Sequence, residues 1–274
     1  MSWFAEQSVV LQAFLAGLFT WTCTIIGSGI VFFFKNVSRK LLDTMQGFAA
    51  GVMIAASFWS LLAPSISYAE PIYGSWSWVP AAVGFLLGGY FLLFNDANIP
   101  HLHLGHDIAK AEGGSKEERK KLSKTALLFL AITIHNIPEG LAVGVTFGAL
   151  ANNFSQAAYV GALGLALGIG LQNIPEGSAL SIPIRTDGKT RQQAFFWGAM
   201  SAIVEPIAAV IGAVAVIYMT PILPYALSFA AGAMMFVVVE ELIPESQTNG
   251  NTDRATLGLM MGFVIMMILD VALG

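Results

Sequence analysis

Charge is scarce in this chain, and so is cysteine. Only 11% of its 274 residues are Asp, Glu, Lys or Arg, against about 25% in an ordinary soluble domain. With a mean hydropathy of +0.71, that scarcity excludes a soluble globular protein. The one cysteine, Cys23, rules out an intrachain disulfide and any cysteine-built metal cluster. A net charge of −4 gives no support to nucleic-acid binding, which needs a basic surface. The chain also lacks a His-Glu-x-x-His segment, the signature of a zinc metalloprotease helix. No basic stretch precedes the first apolar run and no Ala-x-Ala site follows it, so that run is expected to be a retained helix, not a signal peptide.

Long apolar runs are what the sequence has in abundance. Eight are long enough to cross a bilayer, at roughly residues 8–34, 41–66, 77–95, 124–150, 156–182, 192–218, 222–244 and 255–273. The expected fold is an all-α integral membrane domain spanning residues 1–274, with the lipid bilayer as its solvent and a His-containing connection at about 96–123. All thirteen Lys and Arg fall in odd-numbered connections or at their edges: Lys35, Arg39 and Lys40; Lys110, Lys116, Arg119, Lys120, Lys121 and Lys124; Arg185, Lys189 and Arg191; and Arg254. The positive-inside rule places those connections in the cytoplasm and both termini outside. A miscounted helix would scatter the charges over both sides. At the opposite edge, Tyr68, Tyr73, Trp76, Trp78, Tyr159, Tyr218 and Tyr225 suit an interfacial aromatic belt.

Two repeats run through this frame. His135-Asn136-Ile137-Pro138-Glu139-Gly140 in the fourth run returns as Gln172-Asn173-Ile174-Pro175-Glu176-Gly177 in the fifth. Gly47-Phe48-Ala49-Ala50-Gly51-Val52-Met53 in the second returns as Ser228-Phe229-Ala230-Ala231-Gly232-Ala233-Met234 in the seventh. Leu61-Leu62-Ala63-Pro64 and Glu241-Leu242-Ile243-Pro244 then close those two runs with a one-residue slip. Similar segments on helices of opposite direction indicate an inverted-repeat transporter with its substrate site near the midplane. Small residues such as these also serve close helix packing.

Carboxylates at membrane depth cost several kcal/mol unless something compensates them, and a bound cation is the simplest compensation. Positions four apart share a helix face, so His135 projects with Glu139 and Gln172 with Glu176, while Asn136 and Asn173 sit about 100° round. Pro138 and Pro175 displace the carbonyls of Ile134 and Leu171 and are expected to kink their helices. The sixth run adds Glu205-Pro206. An imidazole, amides and acids without thiolates suit a borderline divalent ion such as Zn²⁺, with Fe²⁺, Mn²⁺, Co²⁺ and Cd²⁺ as competitors. Three ionised glutamates exceed one divalent cation by a single charge, and two cations exceed the three glutamates by one. Either a glutamate is protonated in some states or a second metal is partly occupied.

These motifs resemble those of the ZIP (Zrt/Irt-like) divalent-metal transporters, most closely the GufA-like branch with bacterial members. The resemblance covers essentially the whole chain. It implies eight helices and a transport site on the fourth, fifth and sixth, holding one ion or two. Carried over, the first position is His135, Glu139, Gln172 and Glu176, and the second is Asn136, Glu139, Asn173, Glu176 and Glu205. Met53 matches an accessory position, and Glu240 and Glu241 match a place where a relative has His-Glu, which suggests a role in metal exit. The family's elevator motion would slide spans one, four, five and six against two, three, seven and eight. Where commoner branches have His-Glu-x-Pro-His-Glu in the fifth span, this chain has Gln172, Asn173 and Glu176. Some close relatives have Asp where Asn173 stands.

His101, His103 and His106 form a His-x-His-x-x-His cluster in the connection after the third run. Such a cluster can bind metal weakly, or be a solvated loop with incidental histidines. The leading expectation is a transporter moving a divalent metal, most simply zinc, into the cytoplasm of a bacterium across its plasma (inner) membrane, with no resident cofactor. A passive metal channel and an intramembrane metalloprotease are the alternatives. Oligomeric state stays open, a homodimer being one candidate.

Overall fold

The computed structural model describes residues 2–34, 37–103 and 108–273. Among them no strand forms, and helices long and apolar enough to cross a membrane run over Val9–Phe33, Arg39–Trp76, Trp78–Asn98, Lys124–Ala149, Gln156–Thr186, Arg191–Tyr218, Leu223–Gln247 and Thr252–Ala272. Five of these first-to-eighth spans open on a hydroxyl cap. Ser8, Ser38, Ser123, Ser155 and Thr190 each accept a backbone N–H from the first turn, satisfying a donor that lipid could not. The seventh, which begins at Leu223, instead has Pro224 in its first turn, with no N–H to leave unsatisfied.

Three details depart from the sequence expectation. The helical second span continues past residue 66 to Trp76. A π-helical stretch, Ser57–Leu62, precedes Pro64, and its wider turn makes room for the ring that would otherwise press on the Ser60 carbonyl. The seventh span repeats the device at Val238–Leu242, just before Pro244. The second span's π stretch is one residue longer, six against five, and that extra residue is the slip seen between the two repeats. Second, the sixth span breaks at Ser201–Ile203, between Met200 and Val204, while Pro138 and Pro175, where kinks are expected, lie inside continuous helices. Pro206 cannot donate to the Ala202 carbonyl, so a new helix starts at Val204 with the proline in its first turn. Third, Tyr159 is buried, while Trp76, Trp78 and Tyr218 stand exposed at the expected edge.

The spans pack into two halves. The sixth packs most densely on the fourth and the first on the fifth, with the first also against the sixth; the second packs most densely on the eighth and the third on the seventh. Close approaches of backbone obey the same division. In one half, a Cβ on Gly27 would strike Ile174 and one on Gly144 would strike Ala209; in the other, Gly51 lies on Leu259 and Gly232 on Phe85. Across the boundary, Gly168 meets only the side chains of Met266 and Val52, and Gly164 stands at ordinary contact distance from Leu269.

Candidate metal centre

A cavity of about 20 Å³, roughly the volume one water centre needs, lies where the fourth and fifth spans face the second and seventh. His135 and Glu139 come to it from one helix, Gln172 and Glu176 from the other, and Met53 from the second span. Glu139 and Gln172 are 1% exposed. Gln172 donates to Glu139 Oε1 at 2.6 Å. The remaining oxygens, Glu139 Oε2, Gln172 Oε1 and Glu176 Oε1, are buried with no hydrogen-bond partner among the described residues. Buried acceptors are normally satisfied, so a group of them on one cavity makes it a candidate place for a cation.

The two asparagines are used differently. Asn136 donates to the Ile132 carbonyl at 2.9 Å and reaches Glu176. Asn173 donates to both oxygens of Glu205, at 2.9 and 3.0 Å, and to the Thr20 carbonyl at 3.1 Å. Glu205 is fully buried at the second position of the helix that begins after the break in span six, where the helix N-terminus favours an anion. Neither Asn173 nor Glu205 lines the cavity.

On the side of the odd-numbered connections the cavity continues to Glu241, Glu245 and Gln46. His135 Nε2 pairs with Glu241 Oε1 at 2.5 Å, and His103 Nδ1 lies 3.5 Å from Glu241 Oε2. His103, Glu241 and Glu245 each offer a ligand atom within 4.8 Å of the others. The hydrogen bond to Glu241 pushes the His103 imidazole up to about 9. The connection carrying it is not simply a solvated loop. His101 is 1% exposed, its backbone pairs with Glu112, and its ring meets that of His103 edge-on. Glu240 stands on the exposed side of its helix and does not line the cavity; His106 lies outside the described residues.

Sequence reasoning passed over Glu245, Gln46 and Asp270. Gln46 donates to Glu245 at 2.9 Å. Asp270, an acid near the end of the eighth span, accepts from Ser60 at 2.5 Å beside a second cavity of about 220 Å³. That cavity lies between the two halves near the even-numbered connections, lined also by Trp59, Tyr68 and Thr146. An isolated acid inside an apolar span was the available signal.

Comparison with known proteins agrees in family. The ZIP Zinc transporter family model matches residues 105–270. The chain is 41% identical to zinc transporter ZIP11 of Homo sapiens, over 98% of this chain and 99% of that protein. It is 38% identical to zinc transporter GufA of Myxococcus xanthus, over 95% and 98%. Against zinc transporter ZIPB of Bordetella bronchiseptica the identity is 35%, over 96% of this chain and 81% of the other.

Proposed function

The chain belongs to the ZIP zinc transporter family, and on that footing we propose that it carries Zn²⁺ across the membrane toward the cytoplasm through the cavity between its fourth and fifth spans. The observation that carries this is the set of unpartnered oxygens on Glu139, Gln172 and Glu176 beside the His135 imidazole. Three oxygens and one nitrogen make the four-coordinate shell that Zn²⁺ favours, and the two carboxylates neutralise its charge. Fe²⁺, Mn²⁺, Co²⁺ and Cd²⁺ can use the same donors.

His135 stands between these oxygens and the inner acids, because its Nε2 reaches Glu241. An ion leaving the midplane passes that imidazole to Glu241, Glu245 and His103, which form the exit. The positive-inside rule puts this exit on the cytoplasmic side, and inward flux then follows an inward Zn²⁺ gradient. Movement is by one half sliding on the other. Backbone locked on backbone through glycine holds each half together, while the boundary at Gly168 is closed by flexible side chains.

Purified protein in liposomes tests the proposal. Saturable Zn²⁺ uptake is expected, and Glu139→Ala and Glu176→Ala are each expected to abolish it while the proteins remain folded and inserted. Uptake by both variants at the parent's rate would refute the site. Flux that fails to saturate would indicate a channel instead.

A further inference from the structure

Three glutamates, Glu139 and Glu205 buried and Glu176 half-buried, project from spans four, five and six, and three like charges gathered at membrane depth invite a second cation. We propose that Asn173 fills the place such a cation would take, so that the centre holds a single ion and Glu205 anchors the helices instead of binding metal. The inference rests on the metal-site reading above and decides its stoichiometry.

The orientation of the Asn173 amide follows from its neighbours. The atom facing Glu205 lies 3.1 Å from the backbone carbonyl of Thr20 as well as 2.9 and 3.0 Å from the two carboxylate oxygens. A backbone carbonyl only accepts, so the atom among these three oxygens is the nitrogen. Its two hydrogens are then both engaged, one with Thr20 and one shared by the carboxylate. The Thr20 hydroxyl is also within reach of Glu205. Asn173, Glu205 and Thr20 are all 0% exposed, and Gly17 brings the first span against Pro206 immediately beside them. The donors around Glu205 are thus fixed protein groups in a closed space.

The first position is the opposite. Oxygens of Glu139, Gln172 and Glu176 lack partners and line the cavity; Asn136 Oδ1 and Asn173 Oδ1 also lack partners but neither residue lines it, and both oxygens of Glu205 are taken by the Asn173 amide. Charge agrees with geometry. Two carboxylates balance one divalent ion, and the third is answered by the amide, the hydroxyl and the start of a helix. An aspartate at residue 173 would instead face Glu205 with oxygen and no donor. Two opposed carboxylates would then require a cation between them.

The test is an anomalous-scattering map of crystals of the full chain soaked in Zn²⁺, for the parent and for Asn173→Asp. The parent is expected to show one midplane peak, between Glu139 and Glu176. The variant is expected to gain a second peak at Glu205, raising the midplane count from one to two. A parent peak within ligand distance of Glu205 would overturn the inference, as would a variant that keeps one peak. If Asn173→Asp does not fold, the parent map decides alone. A parent map blank between Glu139 and Glu176 would sink the site itself, which is a different outcome. Because the map resolves position, ions at Glu241 or Glu245 do not confuse the count.

Discussion

Glu241 shows how one side chain acquires a role from partners remote in sequence. Its two carboxylate oxygens face His135 and His103, residues more than a hundred positions earlier, while its neighbour Glu240 is exposed. The adjacent pair was legible in the sequence as an exit candidate; which of the two faces the cavity was not, because that depends on the face each presents. The ion pair has a measurable consequence outside the membrane. With its imidazole held up to about 9 by Glu241, His103 stays protonated well above the usual histidine range near 6.5. The pairing therefore contributes fully below that ordinary value and is lost as pH rises through about 9. A histidine NMR titration of metal-free protein is expected to give a midpoint near 9, and Glu241→Gln to return it toward the ordinary range. An unchanged midpoint in the variant would show that Glu241 is not the cause.

Among the elements, the second and seventh spans share a device that their sequences only hinted at. Each has a π-helical stretch followed closely by proline, Ser57–Leu62 before Pro64 and Val238–Leu242 before Pro244. One occurs beside the outer cavity with Ser60, the other beside the inner acids with Glu241. A wide turn re-aims every side chain beyond it, since one residue corresponds to about 100° of helix. Replacing Pro244 by alanine removes the ring that the wide turn accommodates and lets ordinary helix re-form. Pro244→Ala is expected to fold and insert as the parent does but to lower maximal Zn²⁺ uptake by about tenfold, equivalent to a barrier about 1.4 kcal/mol higher. Uptake assays paired with size-exclusion profiles check both halves of that statement. The break in span six belongs to the same scale. Glu205-Pro206 was visible as an unusual pair, but a proline in a helical pattern can kink, interrupt or begin a helix. Only the packing of Gly17 on Pro206 and of Gly140 on Glu205 chose the last.

At the scale of the whole molecule, the division into two halves makes two kinds of glycine substitution behave differently. Gly144 lies on the backbone of Ala209 within one half. Gly144→Val has no space to enter, and overpacking of this kind costs about 1–3 kcal/mol or more, so a lower melting temperature or failure to purify is expected. Gly168 faces the Met266 side chain across the boundary, and a methionine can move aside. Gly168→Leu is therefore expected to remain folded and to bind Zn²⁺ while transporting more slowly, with Met266→Ala restoring part of the rate. Thermal melts in detergent and liposome uptake separate the two cases. If Gly168→Leu transported at the parent's rate, the boundary would not be the surface on which the halves slide.

The amino-acid sequence alone established the eight apolar spans, the one-sided placement of basic residues, and the twin Asn-Ile-Pro-Glu-Gly segments that put His135, Glu139, Gln172 and Glu176 on shared helix faces. These are properties of contiguous chain: run length is set by bilayer thickness, and facing is set by a helical period. Tertiary structure decided the rest. It sent the Asn173 nitrogen to Glu205 and left the Gln172 oxygen on the cavity, broke span six before Val204, and buried His101 in a connection that composition leaves free to be solvent. Each of those outcomes depends on an acceptor, a backbone or a ring supplied from another span, and no local pattern carries that information.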